Sequence, residues 1–331
     1  MSEIEQASAA GPKTAVRHVQ IDAESQGQRL DKLLAQWLIG VPRSRIFRLI
    51  RRGEVRVNGR RAGPERRLAA GDSVRLPPVL ERAPDAPRRV PATLIQTIER
   101  AIVHEDARLL VLDKPAGIAV HGGSGLSFGV IEALRASRPT ETLELVHRLD
   151  RDTSGCLMVA RRGSALRTLH ALLREGAVQK GYLALLAGRW NLGHKRIDAP
   201  LRTDLRVGGE RTVKVDAEGK LALTEFKLIE HYGSRASLVE AIIHTGRTHQ
   251  IRVHAAYCAH PVLGDEKYGE EAANGELRAL GLKRMFLHAH SCSFTWPDGA
   301  EQSFSAPLPD ELRAVLDQLS TKRRARPRAR P

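Results

Sequence analysis

Nine consecutive residues, His147-Arg148-Leu149-Asp150-Arg151-Asp152-Thr153-Ser154-Gly155, bring two arginines, two carboxylates and a histidine together. The apolar run Leu143-Glu144-Leu145-Val146 leads in, and Cys156-Leu157-Met158-Val159-Ala160 leads out. Two buried strands that deliver dense charge to the loop between them have the form of a site on a rigid scaffold. A core tolerates such charges only when they are paired. A surface turn also uses Asp, Thr, Ser and Gly, and on composition both readings stay open.

Other residues offer rival chemistries. Gly125-Leu126-Ser127-Phe128-Gly129 has the spacing of a nucleophile elbow, but that elbow needs a strand running into the first glycine. Here His121-Gly122-Gly123-Ser124 precedes it, which is loop composition, and a serine hydrolase is disfavoured. His244, His249 and His254 are spaced by five, which suits neither a helix face nor one side of a strand. His288, His290 and Cys292 alternate as strand neighbours, without an acidic pair to complete a metal site, so no metal is expected. His147-Arg148-x-Asp150 echoes a kinase catalytic loop, but no Gly-rich phosphate loop precedes it and no Asp-Phe-Gly follows.

The elements that would position these groups fall into two blocks with unequal charge. The chain has 331 residues and a net charge of +15. Residues 29–89 carry a net of +10 and residues 322–331 a net of +6, which leaves residues 90–321 close to neutral. Segregated basicity points to a polyanion, most simply nucleic acid. No apolar run approaches the ~18 residues of a membrane span, and no signal-peptide pattern opens the chain. Three widely spaced cysteines exclude a disulfide framework and place the chain in the cytoplasm.

In the basic block, Leu30, Leu33, Leu34, Trp37 and Leu38 recur at helical spacing, and Ser44 can cap a second helix with Ile46, Leu49 and Ile50 inward. Arg45, Arg48 and Arg52 then share one exposed stripe, which Arg56, Arg60 and Arg61 continue on a strand (54–60) entering an Asn-Gly turn. Pro-rich residues 83–91 mark the boundary. Beyond it, strands are expected at 109–112, 178–186, 222–232, 235–244 and 285–296, with helices from Ser164, from a Thr248 cap, and over 309–319. Residues 200–219 read as a polar excursion. The expected class is α+β with a largely antiparallel mixed sheet, preceded by a small α/β module. The expected division is an N-terminal stretch (1–27, disordered or extended), a basic nucleic-acid-binding module (28–82), a linker (83–98), a main domain that carries the signature (99–321) and a basic tail (322–331).

Two resemblances carry the reading further. Arg29-Leu30-Asp31-Lys32-Leu33-Leu34 through Ile50-Arg51-Arg52-Gly53-Glu54-Val55-Arg56-Val57-Asn58-Gly59 resembles the S4 RNA-binding domain. That likeness implies a grip on structured RNA through phosphates. His147-Arg148-Leu149-Asp150 with Thr153-Ser154-Gly155 resembles the signature of the RluA family of pseudouridine synthases. Leu112-Asp113-Lys114-Pro115-Ala116-Gly117, Lys180-Gly181-Tyr182-Leu183-Ala184 and Thr245-Gly246-Arg247-Thr248-His249-Gln250-Ile251-Arg252-Val253-His254 follow the family's order. Pro261-Val262-Leu263-Gly264-Asp265 and Phe286-Leu287-His288-Ala289 are weaker matches, and the likeness spans about residues 100–310.

The family resemblance implies a cofactor-free isomerase acting on large-subunit (23S) ribosomal RNA, without metal or membrane, as a monomer. The reaction breaks the uridine C1′–N1 bond, turns the uracil and rejoins it through C5. A carboxylate can stabilise positive character at C1′ or relay a proton from the sugar, and in the family it is the Asp at position 150. Asp152 is then left to tie down the loop. Arg252 matches the family's buried arginine partner of that Asp. Its place in the first turn of the expected helix, where the dipole disfavours a cation, fits a residue bound to a carboxylate. Tyr182 matches the tyrosine that stacks on the base or accepts a proton at the sugar. The target must leave its stack, and Arg148, planar and able to stack, is suited to the vacated space.

Overall fold

A computed structural model describes residues 15–38, 41–79, 89–122, 128–205 and 211–324. The chain divides into two compact units, residues 1–89 and 90–331.

In the first unit, strand β1 (Arg17–Gln20) is followed by helices α1 (Leu30–Trp37) and α2 (Arg43–Arg51), then by strands β2 (Arg56–Val57) and β3 (Ser73–Leu76). The strands form an antiparallel sheet in the order β1-β3-β2. Leu30, Leu33, Leu34, Ile46, Leu49 and Ile50 bury the helices against Val57, Val74 and Leu76, as the spacing predicts. Pro42 occupies the N-cap of α2, so the expected Ser44 cap is not used. Proline's fixed φ and missing N–H suit a helix entry, and the helix starts two residues earlier than expected. The expected strand at 54–60 shortens to two residues. Asn58 and Gly59 take left-handed φ of 51° and 75°, and Val57 and Arg60 exchange hydrogen bonds across them. Asn58 Nδ2 donates to the buried Asp72 at 2.7 Å, which fixes the turn.

The second unit begins with α3 (Ala92–Arg100), which occupies residues expected to be linker; Ile98 is fully buried, so an apolar face binds this helix to the core. There follow β4 (Ile102–Glu105), β5 (Leu109–Lys114), α4 (Val130–Ser137), β6 (Glu144–Leu145), β7 (Ser154–Ala160), α5 (Gly163–Glu175) and β8 (Gln179–Ala187). Next come β9 (Lys195–Asp198), β10 (Leu201–Leu205), β11 (Arg211–Val215), β12 (Leu223–Tyr232), β13 (Ala236–Ile243), α6 (Gln250–Tyr257) and α7 (Glu271–Arg278). The unit closes with β14 (Leu287–Thr295), β15 (Glu301–Ser305) and α8 (Asp310–Arg324).

The main sheet runs β4-β5-β7-β14-β8-β13-β12-β9, with β6 on β7 and β15 on β14. Among the described strands, β7 and β14 run parallel and the other pairs are antiparallel, as expected. The polar excursion at 200–219 contains the hairpin β10–β11. Leu201 and Val213 pack on Val253 while Arg202, Asp204 and Lys214 pair on the outer face. A two-stranded ribbon with only two apolar residues per strand, set among charged and polar ones, gives little period to read.

β7 lies buried at the centre, and its Gly155 is the position where only glycine fits. Its φ is +106°, and a Cβ there would collide with the backbone of Ala289 on β14. The signature glycine therefore permits the parallel β7–β14 contact that sets the loop before it.

Candidate active site

The β6–β7 loop presents the nine-residue signature, and two side chains from outside it hold its backbone. Lys114, at the end of β5 and fully buried, donates from Nζ to Pro115 O (2.7 Å), Ile118 O (2.8 Å) and Arg151 O (3.1 Å). An ammonium has three donors, and here all three are used. Burial pulls its pKa down to about 7. Arg284 donates to Asp152 O (3.4 Å) and to Ser154 Oγ (3.0 Å). Ser154 Oγ also meets His288 Nδ1 (2.9 Å), and His288 Nε2 reaches Ala306 O (3.1 Å). Burial lowers His288 to about 4 and His147 to about 3, so both are neutral structural imidazoles. His147 Nε2 accepts the Met158 N–H at 3.1 Å. The carboxylate of Asp152, expected to tie down the loop, is instead half exposed and pairs with its neighbour Arg151 at 3.2 Å. Backbone carbonyls, gripped by Lys114 and Arg284, do that holding.

Asp150 faces the first turn of α6. Arg252 Nη1 donates to Asp150 Oδ2 at 3.1 Å, while Nε and Nη2 make a two-pronged contact with Asp265 at 2.7 and 2.8 Å. Asp265 is 1% exposed and also accepts the backbone N–H groups of Lys267 (2.9 Å) and Tyr268 (3.1 Å). Burial pushes its pKa up, but the Arg252 hydrogen bonds and these amides outweigh that and hold it below the usual carboxylate range. Burial likewise opposes the charge on Arg252, and Asp265 and Asp150 more than restore it. The guanidinium lies 5.0 Å from the centre of the Tyr268 ring.

The expected Thr248 cap is absent. His249 takes the N-cap position with a left-handed backbone (φ 53°, ψ 21°). Buried Gln250 instead fastens the chain ahead of the helix, its Oε1 accepting from Thr245 Oγ1 (2.7 Å) and Arg247 N (3.1 Å). Arg247 donates from Nε to Leu221 O at 2.9 Å.

Tyr182, on β8, is buried and lines a cleft of about 480 Å³ with Asp150, Ile243, His249, Arg252 and Leu287. Burial, reinforced by Cys292 and Asp150, pushes its phenol well above the ordinary value, so it is a donor rather than a phenolate acceptor. The cleft opens into a wider polar groove that Arg148, Arg151, Lys267, Lys283 and Arg284 border. Arg148 is exposed at the junction, without a hydrogen bond or ion pair among the described residues.

The structure thus brings Asp150, Tyr182, Arg252 and Arg148 to one cleft. In the first unit, Arg45, Arg48, Arg52, Arg56 and Arg60 are all exposed. Arg56 is tied to Gly53 O and Gly59 O, each at 3.3 Å. The side chains of Arg45, Arg48 and Arg60 have no hydrogen-bond or ion-pair partner among the described residues. Ser127 lies outside the described residues. The three histidines spaced by five separate to Glu225, Tyr268 and Thr224, and His290 and Cys292 point to Glu240 and Met158. Sequence reasoning missed Asp265, Tyr268, Lys114 and Arg284 as parts of the site. Two of them, Lys114 and Asp265, lay within quoted motifs, which was the available signal.

Comparisons with known proteins agree with this geometry. The RNA pseudouridylate synthase family matches residues 108–257, and the S4 domain matches residues 28–74. The ribosomal large subunit pseudouridine synthase C of Haemophilus ducreyi is 49% identical over 93% of this chain and 97% of that protein. The protein of the same name from Escherichia coli K12 is 48% identical over 93% and 98%. The solved structure of human RNA pseudouridylate synthase domain containing 1 shares 28% identity, with a TM-score of 0.54, over 70% of this chain and 96% of that one. Human RNA pseudouridylate synthase domain containing 4 shares 25% identity, with a TM-score of 0.56, over 69% and 96%. The chain belongs to the RNA pseudouridine synthases, with an S4 domain ahead of its catalytic domain.

Proposed function

We propose that this synthase isomerises uridines of large-subunit ribosomal RNA, and that Asp150 is the carboxylate that attacks C1′ or takes the C2′ proton. The observation that carries the site assignment is the Arg252 bridge. One buried guanidinium gives Asp150 a fixed countercharge at 3.1 Å while Asp265 anchors it from the other side. A nucleophile fixed in the cleft needs no reorganisation when charge develops at the sugar.

The target nucleotide leaves its stack and enters the cleft. Arg148, unpartnered at the mouth, fills the space it vacates. The Tyr182 ring packs against the uracil, and its protonated phenol donates a hydrogen bond. Asp150 then supports cleavage of C1′–N1, and the freed uracil turns and bonds to C1′ through C5. Nothing is oxidised and no group is donated, so the isomerisation needs no cofactor. The exposed arginines of the S4 domain, Arg45, Arg48, Arg52, Arg56 and Arg60, hold RNA phosphates. The chain works as a monomer in the cytoplasm. Support for the substrate comes from relatives named for large-subunit ribosomal RNA that align over almost their whole length.

Mapping pseudouridines in ribosomal RNA from cells lacking this chain tests the reading. Sites in large-subunit RNA are expected to revert to uridine and to return with the wild-type gene but not with Asp150→Asn. Unchanged large-subunit sites, or sites lost from transfer RNA alone, would overturn the substrate assignment.

A further inference from the structure

The isomerisation leaves one proton unaccounted for. When C5 bonds to C1′, C5 still carries its hydrogen, and that proton must leave before the product is aromatic. By then Asp150 is again a carboxylate, its Oδ2 engaged by Arg252 Nη1 at 3.1 Å, and Tyr182 stays a protonated phenol. We propose that His249 is the base that removes the C5 proton, an assignment that rests on the reading of Asp150 above.

His249 lines both the cleft and the groove into which it opens. Its Nε2 lies 3.9 Å from Asp150 Oδ2, beside the position where sugar and base must react. Its Nδ1 lies 2.9 Å from the Tyr268 hydroxyl, and Tyr268 stacks edge-on against the imidazole at 5.5 Å between centroids. The Tyr268 oxygen already accepts Val213 N–H at 3.0 Å, and its second lone pair can accept Nδ1–H. In the tautomer that donates Nδ1–H to Tyr268, the Nε2 lone pair is free on the side of Asp150 and the cleft.

The backbone points the same way. His249 takes a left-handed conformation that residues other than glycine seldom adopt. The ties from Gln250 to Thr245 and Arg247 on either side of Gly246 hold the strained turn in place.

The charges facing His249 are those of Asp150, Arg252, Lys267 and Asp265, with the Tyr268 phenol beside them. Burial, then Arg252 and Lys267, hold its proton affinity below that of an ordinary histidine, against the pull of the two carboxylates. The imidazole is therefore neutral and able to accept a proton near neutral pH. The pull of Asp150 also changes during the reaction. While Asp150 is bonded to C1′, or holds the C2′ proton, it carries no charge. Formation of the C1′–C5 bond regenerates its carboxylate beside His249, which raises the proton affinity of the imidazole at the step that needs a base. Nε2 then takes the C5 proton, and the C–H electron pair becomes the C5=C6 bond. The C6=N1 pair moves onto N1, which takes a proton from water, and His249 returns its own proton to solvent through the groove. One proton leaves the base and one joins it.

The test uses the full chain under single-turnover conditions, with RNA carrying hydrogen or deuterium at C5 of the target uridine. His249→Gln is expected to lower the rate by a factor of about 100 or more, within the usual range for loss of a general base. Deuterium is expected to slow this variant further while leaving the wild type unaffected. The comparison of two substrates on one enzyme preparation does not depend on the fraction folded. For an inactive variant, added imidazole is expected to restore turnover to His249→Ala. Wild-type rates in His249→Gln, a slow variant without an isotope effect, or an inactive His249→Ala that imidazole does not rescue would each overturn the role. Asp150→Asn, run alongside, separates the two readings. Product from that variant would overturn the assignment of the cleft itself, whereas an inactive Asp150→Asn beside a fully active His249→Gln overturns the role of His249 alone.

Discussion

Arg252 is bound more firmly to Asp265 than to Asp150. It makes two short contacts of 2.7 and 2.8 Å with the buried residue and one of 3.1 Å with the residue at the cleft. The asymmetry leaves three of the four Asp150 oxygen lone pairs for the nucleotide while its countercharge stays in place. An arginine held by Asp150 alone would be free to swing out whenever the carboxylate engaged the sugar.

Asp265→Asn should therefore damage both stability and turnover. Breaking one side of a buried ion pair costs roughly 3–5 kcal/mol, because the remaining charge is left uncompensated. Denaturant unfolding of the catalytic unit reads the first effect, and single-turnover kinetics at saturating RNA read the second. Wild-type stability in this variant would mean that Asp265 is not the anchor.

Lys114 makes stability depend on pH in a direction opposite to that of most lysines. Burial lowers its pKa from 10.5 to about 7. Between those values the unfolded chain holds a proton that the folded chain has released, so unfolding takes up a proton and stability rises with pH. At roughly 1.4 kcal/mol per pH unit, the contribution amounts to several kcal/mol across the range. Unfolding free energies of wild type and Lys114→Met should diverge in favour of the wild type as pH rises above about 7, and run parallel below it. A constant difference across the range would mean that Lys114 keeps its proton in the folded chain, and would contradict the lowered pKa.

Gly155→Ala should lose at least ~2 kcal/mol, from a disallowed backbone conformation and a collision with Ala289. Its melting temperature and its content of soluble protein check this. The β7–β14 contact also fixes the signature loop, so activity per folded molecule should fall as well.

Replacing Arg45, Arg48 and Arg52 together by alanine should weaken RNA binding and flatten its salt dependence. Each lost phosphate contact reduces the slope of log affinity against log salt by about 0.9, or about 3 for all three. The single-turnover rate at saturating RNA should stay at the wild-type value, because none of the three lies in the cleft. An unchanged slope would remove these residues from the RNA interface.

Much of this architecture was legible where a local period or a turn residue declares itself. The apolar faces of α1 and α2, the Asn58-Gly59 turn and the buried run of β5 all follow from spacing and residue type. The two carboxylate-rich positions of the signature also stood out, because charge between apolar strands is rare. What stayed hidden depends on distance in sequence. Asp265 finds Arg252 across a turn, Lys114 grips Arg151 O from a neighbouring strand, and Tyr268 meets His249 across the cleft. None of these relations has a period. The left-handed backbone of His249 hid for another reason: Thr248 is a good cap by type, but the side chain of Gln250 fastens the chain ahead of the helix and no side chain caps α6. The ribbon β10–β11 was lost because charged residues dominate its outer face.

The central claim is that the carboxylate of Asp150 does the chemistry while its neighbours position it. Single-turnover pseudouridine formation by Asp150→Asn, on a large-subunit ribosomal RNA fragment at saturating protein, tests it most directly. The account predicts RNA binding close to that of the wild type and no product, with Asp152→Asn still active under the same conditions. Pseudouridine formed by Asp150→Asn at the wild-type rate would contradict it.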